Sequence, residues 1–190
     1  MYKRTFMALG VASLLAMTAC TSTTSAGKDA DPASKRRSID SSVDAAMSKL
    51  YAQVPGSREM VTKSKGVLVF PSVLSAGLGV GGSYGEGSLR VGNSTAGYYS
   101  TAAAAVGLLA GADSKAVYVL FMTDEALAKF RESKGWTAGA DANVTLLKTG
   151  ANAGVDTQTM RAPVVGYALS NAGLMANVSL DGTKVTKLDL

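Results

Sequence analysis

Residues Ala76–Gly87 read AGLGVGGSYGEG, and six of these twelve are glycine. Gly77, Gly79 and Gly82 satisfy the dinucleotide-binding pattern G-x-G-x-x-G. A phosphate cradle of that kind needs its glycines to open a helix, whose N-terminus then meets the pyrophosphate. The residues that follow, Ser83–Val91 (SYGEGSLRV), are poor helix formers and alternate as a strand does. No Gly-Lys-Ser/Thr follows either, which excludes a Walker loop. Glycine at alternate strand positions instead lets another backbone or an aromatic ring come close. Gly85-Glu86-Gly87 is also a hairpin signal between two extended pieces.

Two further stretches align with this one without gaps: Ala138–Leu147 (AGADANVTLL) and Ala172–Asp181 (AGLMANVSLD). Each copy starts Ala-Gly and has Ser83, Thr145 or Ser179 at its eighth place. The later copies put Asp141, Asn143 and Val144, or Met175, Asn177 and Val178, where the first has Gly79, Gly81 and Gly82. That substitution argues against a nucleotide site. An apolar run precedes each copy, VLVF, VYVLFM and VVGYAL, so the expectation is a repeated strand–turn–strand unit within one domain.

Around these copies the period gives the other elements. Ser41 and Asp44 form a capping box for a helix over Ser42–Val54, with Ile39, Val43, Ala46, Met47, Leu50 and Val54 on one face. Pro55-Gly56 ends it, and Ser57 is placed to cap a short helix, Arg58–Ser64. Val67–Phe70, Leu78–Val91, Gly97–Ala103, Ala116–Met122, Trp136–Leu147, Val164–Ser170, Leu174–Leu180 and Lys184–Leu188 read as strands, the first stopped by Pro71. Thr123 caps a helix to Ser133, with Asp124 and Glu125 in its first turn. The expected fold is α+β: a strand-rich, mostly antiparallel sheet curled into a sandwich or partial barrel, with N-terminal helices and one mid-chain helix.

Composition narrows the chemistry. The 190 residues include no histidine and a single cysteine, which removes the triad base, histidine metal ligands, an intrachain disulfide and a thiolate cage. Asp124-Glu125 fits a helix start better than acid–base work, and Asp113, Asp141 and Asp156 have no calcium-loop spacing. Ser64-Lys65 and Ser114-Lys115 are adjacent pairs that face apart on a strand. The reading is of a protein that is not an enzyme and needs no cofactor or metal.

The N-terminus explains the lone cysteine. Lys3 and Arg4 precede an apolar run, Thr5–Ala19, that is too short to cross a bilayer and ends Met17-Thr18-Ala19-Cys20. This resembles a bacterial lipobox: residues 1–19 are the signal peptide, and Cys20 carries the lipid. Thr21 after the cysteine agrees with an outer-membrane destination, facing the periplasm. Residues 20–38 then form the lipidated cysteine and a flexible tether, TSTTSAGKDADPASKRRS after Cys20, and 39–190 the single domain. Removing Lys3 and Arg4 leaves 17 bases against 14 acids, too weak an excess for a nucleic-acid binder. Lys35, Arg36 and Arg37 are candidates for contact with anionic headgroups.

The blocks Lys65–Val91, Val117–Phe130 with Gly135–Leu146, and Gly166–Gly182 together resemble the SYLF domain, over about Gly56 to the C-terminus. The final block, YALSNAGLMANVSLDG, carries the resemblance most specifically. In eukaryotes that family is implied to bind phosphoinositide-containing membranes, and some yeast members act at actin patches; an envelope protein would have no actin to meet. The resemblance places membrane contact on a basic N-terminal segment, here Ser38–Lys65 with Lys49, Arg58, Lys63 and Lys65. Ser75 stands where family members often have a lysine. The expectation is therefore a membrane-anchored envelope lipoprotein of the bacterial branch that binds anionic lipid headgroups. The alternative is a structural or protein-interaction lipoprotein, with an envelope protein as partner and no specific lipid ligand.

Overall fold

The structure is a computed structural model and describes residues 31–147, 161–175 and 178–190. Its elements in chain order are α1 (Pro32–Gln53), α2 (Ser57–Lys63), β1 (Gly66–Val91), β2 (Ser94–Phe121), α3 (Asp124–Glu132), β3 (Trp136–Thr137), β4 (Thr145–Leu146), β5 (Val164–Ser170), β6 (Gly173–Leu174) and β7 (Lys184–Leu188). The α+β, strand-rich and mostly antiparallel character follows the sequence reading. Among the described residues the sheet has seven strands, in the order β3-β7-β2-β5-β4, with β1 paired to β2 and β6 to β5. Only β4 and β5 run parallel among these pairs.

The architecture comes from one long ribbon. β1 and β2 pair antiparallel from Val91↔Ser94, across a two-residue turn at Gly92-Asn93, out to Gly66↔Phe121. Gly92 takes φ 59°, the left-handed conformation such a tight turn favours in glycine. The ribbon then doubles back on itself at Gly79 (φ 74°), where the register jumps from Leu78↔Ala110 to Val80↔Val106. The two arms of β1 press together: a Cβ on Gly77 would sit 2.5 Å from the Gly81 Cα, and one on Gly85 2.7 Å from the Ser72 carbonyl oxygen. One on Gly87 would collide with the Val69 carbonyl oxygen. The glycine-rich stretch thus admits a close backbone, as its spacing implied.

Doubling the ribbon makes two cores. Between its halves lie Leu68, Phe70, Val73, Leu89, Tyr99, Val117, Val119 and Phe121, closed by Leu127 and Phe130 of α3 and by Trp136. Phe130 sits at the hub of an aromatic cluster, 4.7 Å from Phe121, 5.0 Å from Tyr99 and 5.7 Å from Trp136 between ring centroids. On the outer face, Val67, Val69, Ala116, Tyr118, Leu120, Val165, Tyr167 and Leu169 receive Ile39, Val43, Ala46, Leu50 and Val54 of the first helix and Met60 of the second. The period-2 alternation of β1 and β2 sends successive residues to these two cores.

Several expectations are corrected. Helix α1 begins at Pro32, ten residues before Ser42, with Asp31 as its N-cap, accepting from the Ala33 amide. Residues 32–38 are therefore helical, not part of a flexible tether, because Pro32 at the first position and good helix formers through Arg37 extend the helix. Asp44 closes no capping box; it binds Arg90 at 2.7 Å. Ser57 lies inside α2, whose N-cap is Gly56, and its buried hydroxyl donates to the Val54 and Leu50 carbonyls. Pro71 does not stop the strand: a register irregularity between Phe70↔Val117 and Val73↔Lys115 absorbs it. The hairpin lies at Gly92-Asn93, not at Gly85-Glu86-Gly87. The three aligned stretches are not one repeated unit. The first lies within β1, the second loops from an isolated bridge, Ala138↔Ala142, into β4, and the third enters β6 at its second residue.

Candidate functional site

The glycine-rich stretch is no phosphate site, since β1 runs through it and no helix starts there. The candidate surface has two other parts: the basic N-terminal helices and the fold-over of the ribbon.

The first helix is held along the ribbon by two acids one turn apart. Asp40 accepts from Thr95 Oγ1 and Tyr98 OH, each at 2.8 Å, and Asp44 accepts from Arg90 Nη2. One turn further towards its start, Lys35 Nζ lies 2.9 Å from Glu86 Oε1, which also accepts from Tyr84 OH at 2.8 Å. Partial burial pushes the Glu86 carboxyl up, but the hydrogen bonds from Lys35 and Tyr84 and the Lys35 charge outweigh it. Its pKa ends below the usual carboxylate range.

The seven candidate headgroup contacts divide by what they touch. Lys35 is bound to Glu86, Lys63 to Glu59 at 2.7 Å, and Lys65 to Asp124 at 3.1 Å. Arg36 Nη1 donates to the Leu190 carbonyl at 2.6 Å, and Lys49 Nζ to Asn171 Oδ1 at 3.3 Å. The Arg58 guanidinium lies 4.2 Å from the centroid of the Tyr51 ring. Burial raises the Tyr51 pKa, and the Arg58 charge offsets only part of that rise. Arg37 is exposed and makes no ion pair with a described residue. Three of the seven (Arg37, Lys49 and Arg58) therefore keep a charge unmatched by a described carboxylate. Cys20 and the apolar run Thr5–Ala19 read as a signal peptide lie outside the described residues, as does Asp156.

Counted by segment, the charge is uneven. Residues 31–65 hold seven bases against four acids, a surplus of +3, whereas residues 66–190 hold nine of each. The helical segment carries the whole excess of residues 31–190.

The fold-over is its opposite in character. Leu74, Leu78, Val80 and Tyr84 are 62, 84, 70 and 52% exposed. Residues 71–85 and 91–112, which form the two strands on either side of Gly79 and its partner segment, contain no charged residue. Four large apolar side chains in water on adjoining strand positions are an unusual exposure for a folded domain. Sequence reasoning placed these residues on strands without singling them out as exposed; the long uncharged runs were the available signal. Beneath them, a cleft of about 330 Å³ opens between the ribbon halves over Phe70, Val73, Val117 and Trp136, with Asp113, Lys115 and Asp181 at its rim.

The acids weighed for catalysis have structural roles. Asp124 and Glu125 stand in the first turn of α3, where Thr123 Oγ1 accepts from the Ala126 amide. Asp141 Oδ2 accepts from the Thr137 amide at 2.6 Å and fastens a turn. The Ser64 hydroxyl donates to the Val61 carbonyl, and that of Ser114 meets Ser72 at 3.1 Å.

A search of curated proteins gave no match to the chain. Comparison with protein-family models gave one, over residues 102–189, to the family described as "Ysc84: Las17-binding protein actin regulator". The matched stretch runs from the middle of β2 to the penultimate residue and includes the block YALSNAGLMANVSLDG. Over that stretch the chain is similar to the Ysc84 family, whose domain is the SYLF domain that its sequence blocks resemble.

Proposed function

We propose that the protein is a non-enzymatic lipoprotein of the bacterial envelope, anchored by acylated Cys20, whose helical face binds anionic lipid headgroups. The observation that carries this reading is the charge surplus of residues 31–65 set against a neutral remainder. Each cation near an anionic membrane surface contributes roughly 1 kcal/mol, so Arg37, Lys49 and Arg58 supply a weak, salt-sensitive attraction. A lipid anchor raises the effective concentration of such a site, so weak contacts suffice.

Among the described residues, those of both cores lie between Ile39 and Leu190, so a chain starting at Thr21 keeps all of them. Its co-sedimentation with phosphatidylglycerol vesicles is expected to exceed that with phosphatidylcholine vesicles and to fall as salt rises. Arg37→Glu with Lys49→Glu and Arg58→Glu abolishes the difference. Equal or absent binding to both vesicles overturns the reading. The alternative is a protein-interaction lipoprotein, favoured by the three cations already spent on Glu59, Glu86 and Asp124. It expects the triple reversal to leave vesicle binding unchanged. Fatty-acid labelling that persists in Cys20→Ser would overturn the anchor.

A further inference from the structure

We infer that the fold-over of the β1–β2 ribbon, led by Leu78 and Val80, is a tip that enters the apolar layer of the membrane. The inference rests on the membrane reading above and names the element that penetrates.

Three observations converge on it. The first is the composition of the tip. Leu74, Leu78 and Val80 stand exposed there, and the two strand stretches that build it carry no charge over residues 71–85 and 91–112. A charge there would have to be desolvated on entry, whereas Leu78 and Val80 gain by leaving water. The backbone is also suited to entry, because most of the tip's amides and carbonyls are paired along the ribbon from Val73↔Lys115 to Tyr84↔Ala102.

The second is where the chain outside the described residues begins. Along the ribbon, α1 passes Arg90 with Asp40 and Asp44 and then Glu86 with Lys35. Moving towards its N-terminus is therefore moving along β1 towards Gly79. Ten residues separate Asp31 from Cys20. Extended, that segment reaches at most about 40 Å. The seven strand residues from Glu86 to Gly79 span about 23 Å. An acyl anchor on Cys20 and the tip can thus enter one bilayer together.

The third is charge placement. Lys35 is held at Glu86 beside Tyr84, and Arg36 and Arg37 follow it in the first turns of α1, so the cations of the helix start lie on the tip's side of the ion pairs with Arg90. Tyr84, half exposed with its hydroxyl bound to Glu86, has the apolar body and polar end found at membrane interfaces.

The test uses the chain from Thr21, which has no cysteine, with Leu78→Cys carrying an environment-sensitive fluorophore. Glu132→Cys, on the exposed side of α3, is the control. On phosphatidylglycerol vesicles the label at position 78 is expected to brighten and to be quenched by lipids spin-labelled in their acyl chains, while that at 132 stays dark. Leu78→Asp with Val80→Asp is expected to weaken partitioning by about tenfold for each aliphatic group kept in water, with an unchanged melting temperature and salt dependence. Salt-sensitive binding with the label at 78 still in water overturns the tip and leaves the headgroup reading standing. Absence of all vesicle binding overturns both. An assembly that the double aspartate variant dissociates, with vesicle partitioning unaltered, assigns the patch to a second copy and overturns the tip.

Discussion

Gly87 and Gly82 stand five residues apart in one strand yet face different constraints. A Cβ on Gly87 would overlap the Val69 carbonyl oxygen and crowd Phe70, whereas one on Gly82 would meet only the Ala103 carbonyl oxygen, at 3.5 Å. Gly87→Ala is expected to destabilise by about 3 kcal/mol or more, because backbone rather than a flexible side chain must yield. Gly82→Ala is expected to change stability by less than about 1 kcal/mol. Chemical denaturation of the two variants separates them, and equal effects would contradict the doubled ribbon. Ser88 offers a second residue-scale test. It is fully buried on β1 and its hydroxyl has no partner among the described residues. Ser88→Ala is expected to be neutral or stabilising by about 1 kcal/mol, since it removes an unsatisfied group. The alternate spacing of Gly77, Gly79 and Gly81 made close backbone approach legible in the sequence. It did not reveal that the approaching backbone belongs to the same strand, because a reversal inside a continuous strand pair has no turn signature of its own.

The first helix shows what periodicity can and cannot give. Its buried residues Ile39, Val43, Ala46 and Leu50 are the apolar stripe, legible at once. Its start was not, because Lys35-Arg36-Arg37 reads as tether until Glu86 and the Leu190 carbonyl appear opposite. That start is expected to respond to acid. The Glu86 carboxyl is held below its ordinary value, so its contribution is complete above about pH 4.3 and is lost as pH falls through the lowered folded value. Amide exchange over residues 32–38 should therefore accelerate at low pH beyond its intrinsic trend, and Glu86→Gln should make it fast at neutral pH already. Further along, Tyr118 OH donates to the Ala46 carbonyl at 2.7 Å and ties the helix to the sheet. Tyr118→Phe is expected to cost about 1 kcal/mol, read as a lower melting temperature. The short strands β4 and β6 were overestimated from sequence, because apolar residues such as Val144 and Val178 pack against the inner core from loops.

For the whole molecule, the outer core makes alkali a probe of global stability. Tyr118 and Tyr167 are directly opposed on β2 and β5, and burial pushes both up to about 12. An unfolded phenol ionises near about 10. The fold keeps both protonated, so their contribution is complete below about pH 10 and disappears as pH rises through 12. The unfolding midpoint should fall steeply over that interval, and Tyr118→Phe with Tyr167→Phe should flatten the fall. Fold class and the family match were readable from the chain because the sheet strands and the last sequence block are local features. The fold-over surface was not, since Leu74, Leu78 and Val80 have the residue types of a buried strand, and only the ribbon's path leaves them outside.

The ribbon's turn also implies an order of assembly. Val91 and Ser94 are three residues apart when they pair, whereas Gly66 and Phe121 are separated by 55. Loop closure makes the distant pairs the costlier ones to form first, so pairing should start at Gly92-Asn93 and zip outward. The doubling at Gly79 comes only after the near arm has formed, and α1 docks on a surface completed last of all. A strained residue at Gly92, such as Gly92→Val, should then slow refolding more than it speeds unfolding. The same burden placed at Gly66, whose Cβ would meet Leu127 at 3.0 Å, should do the reverse.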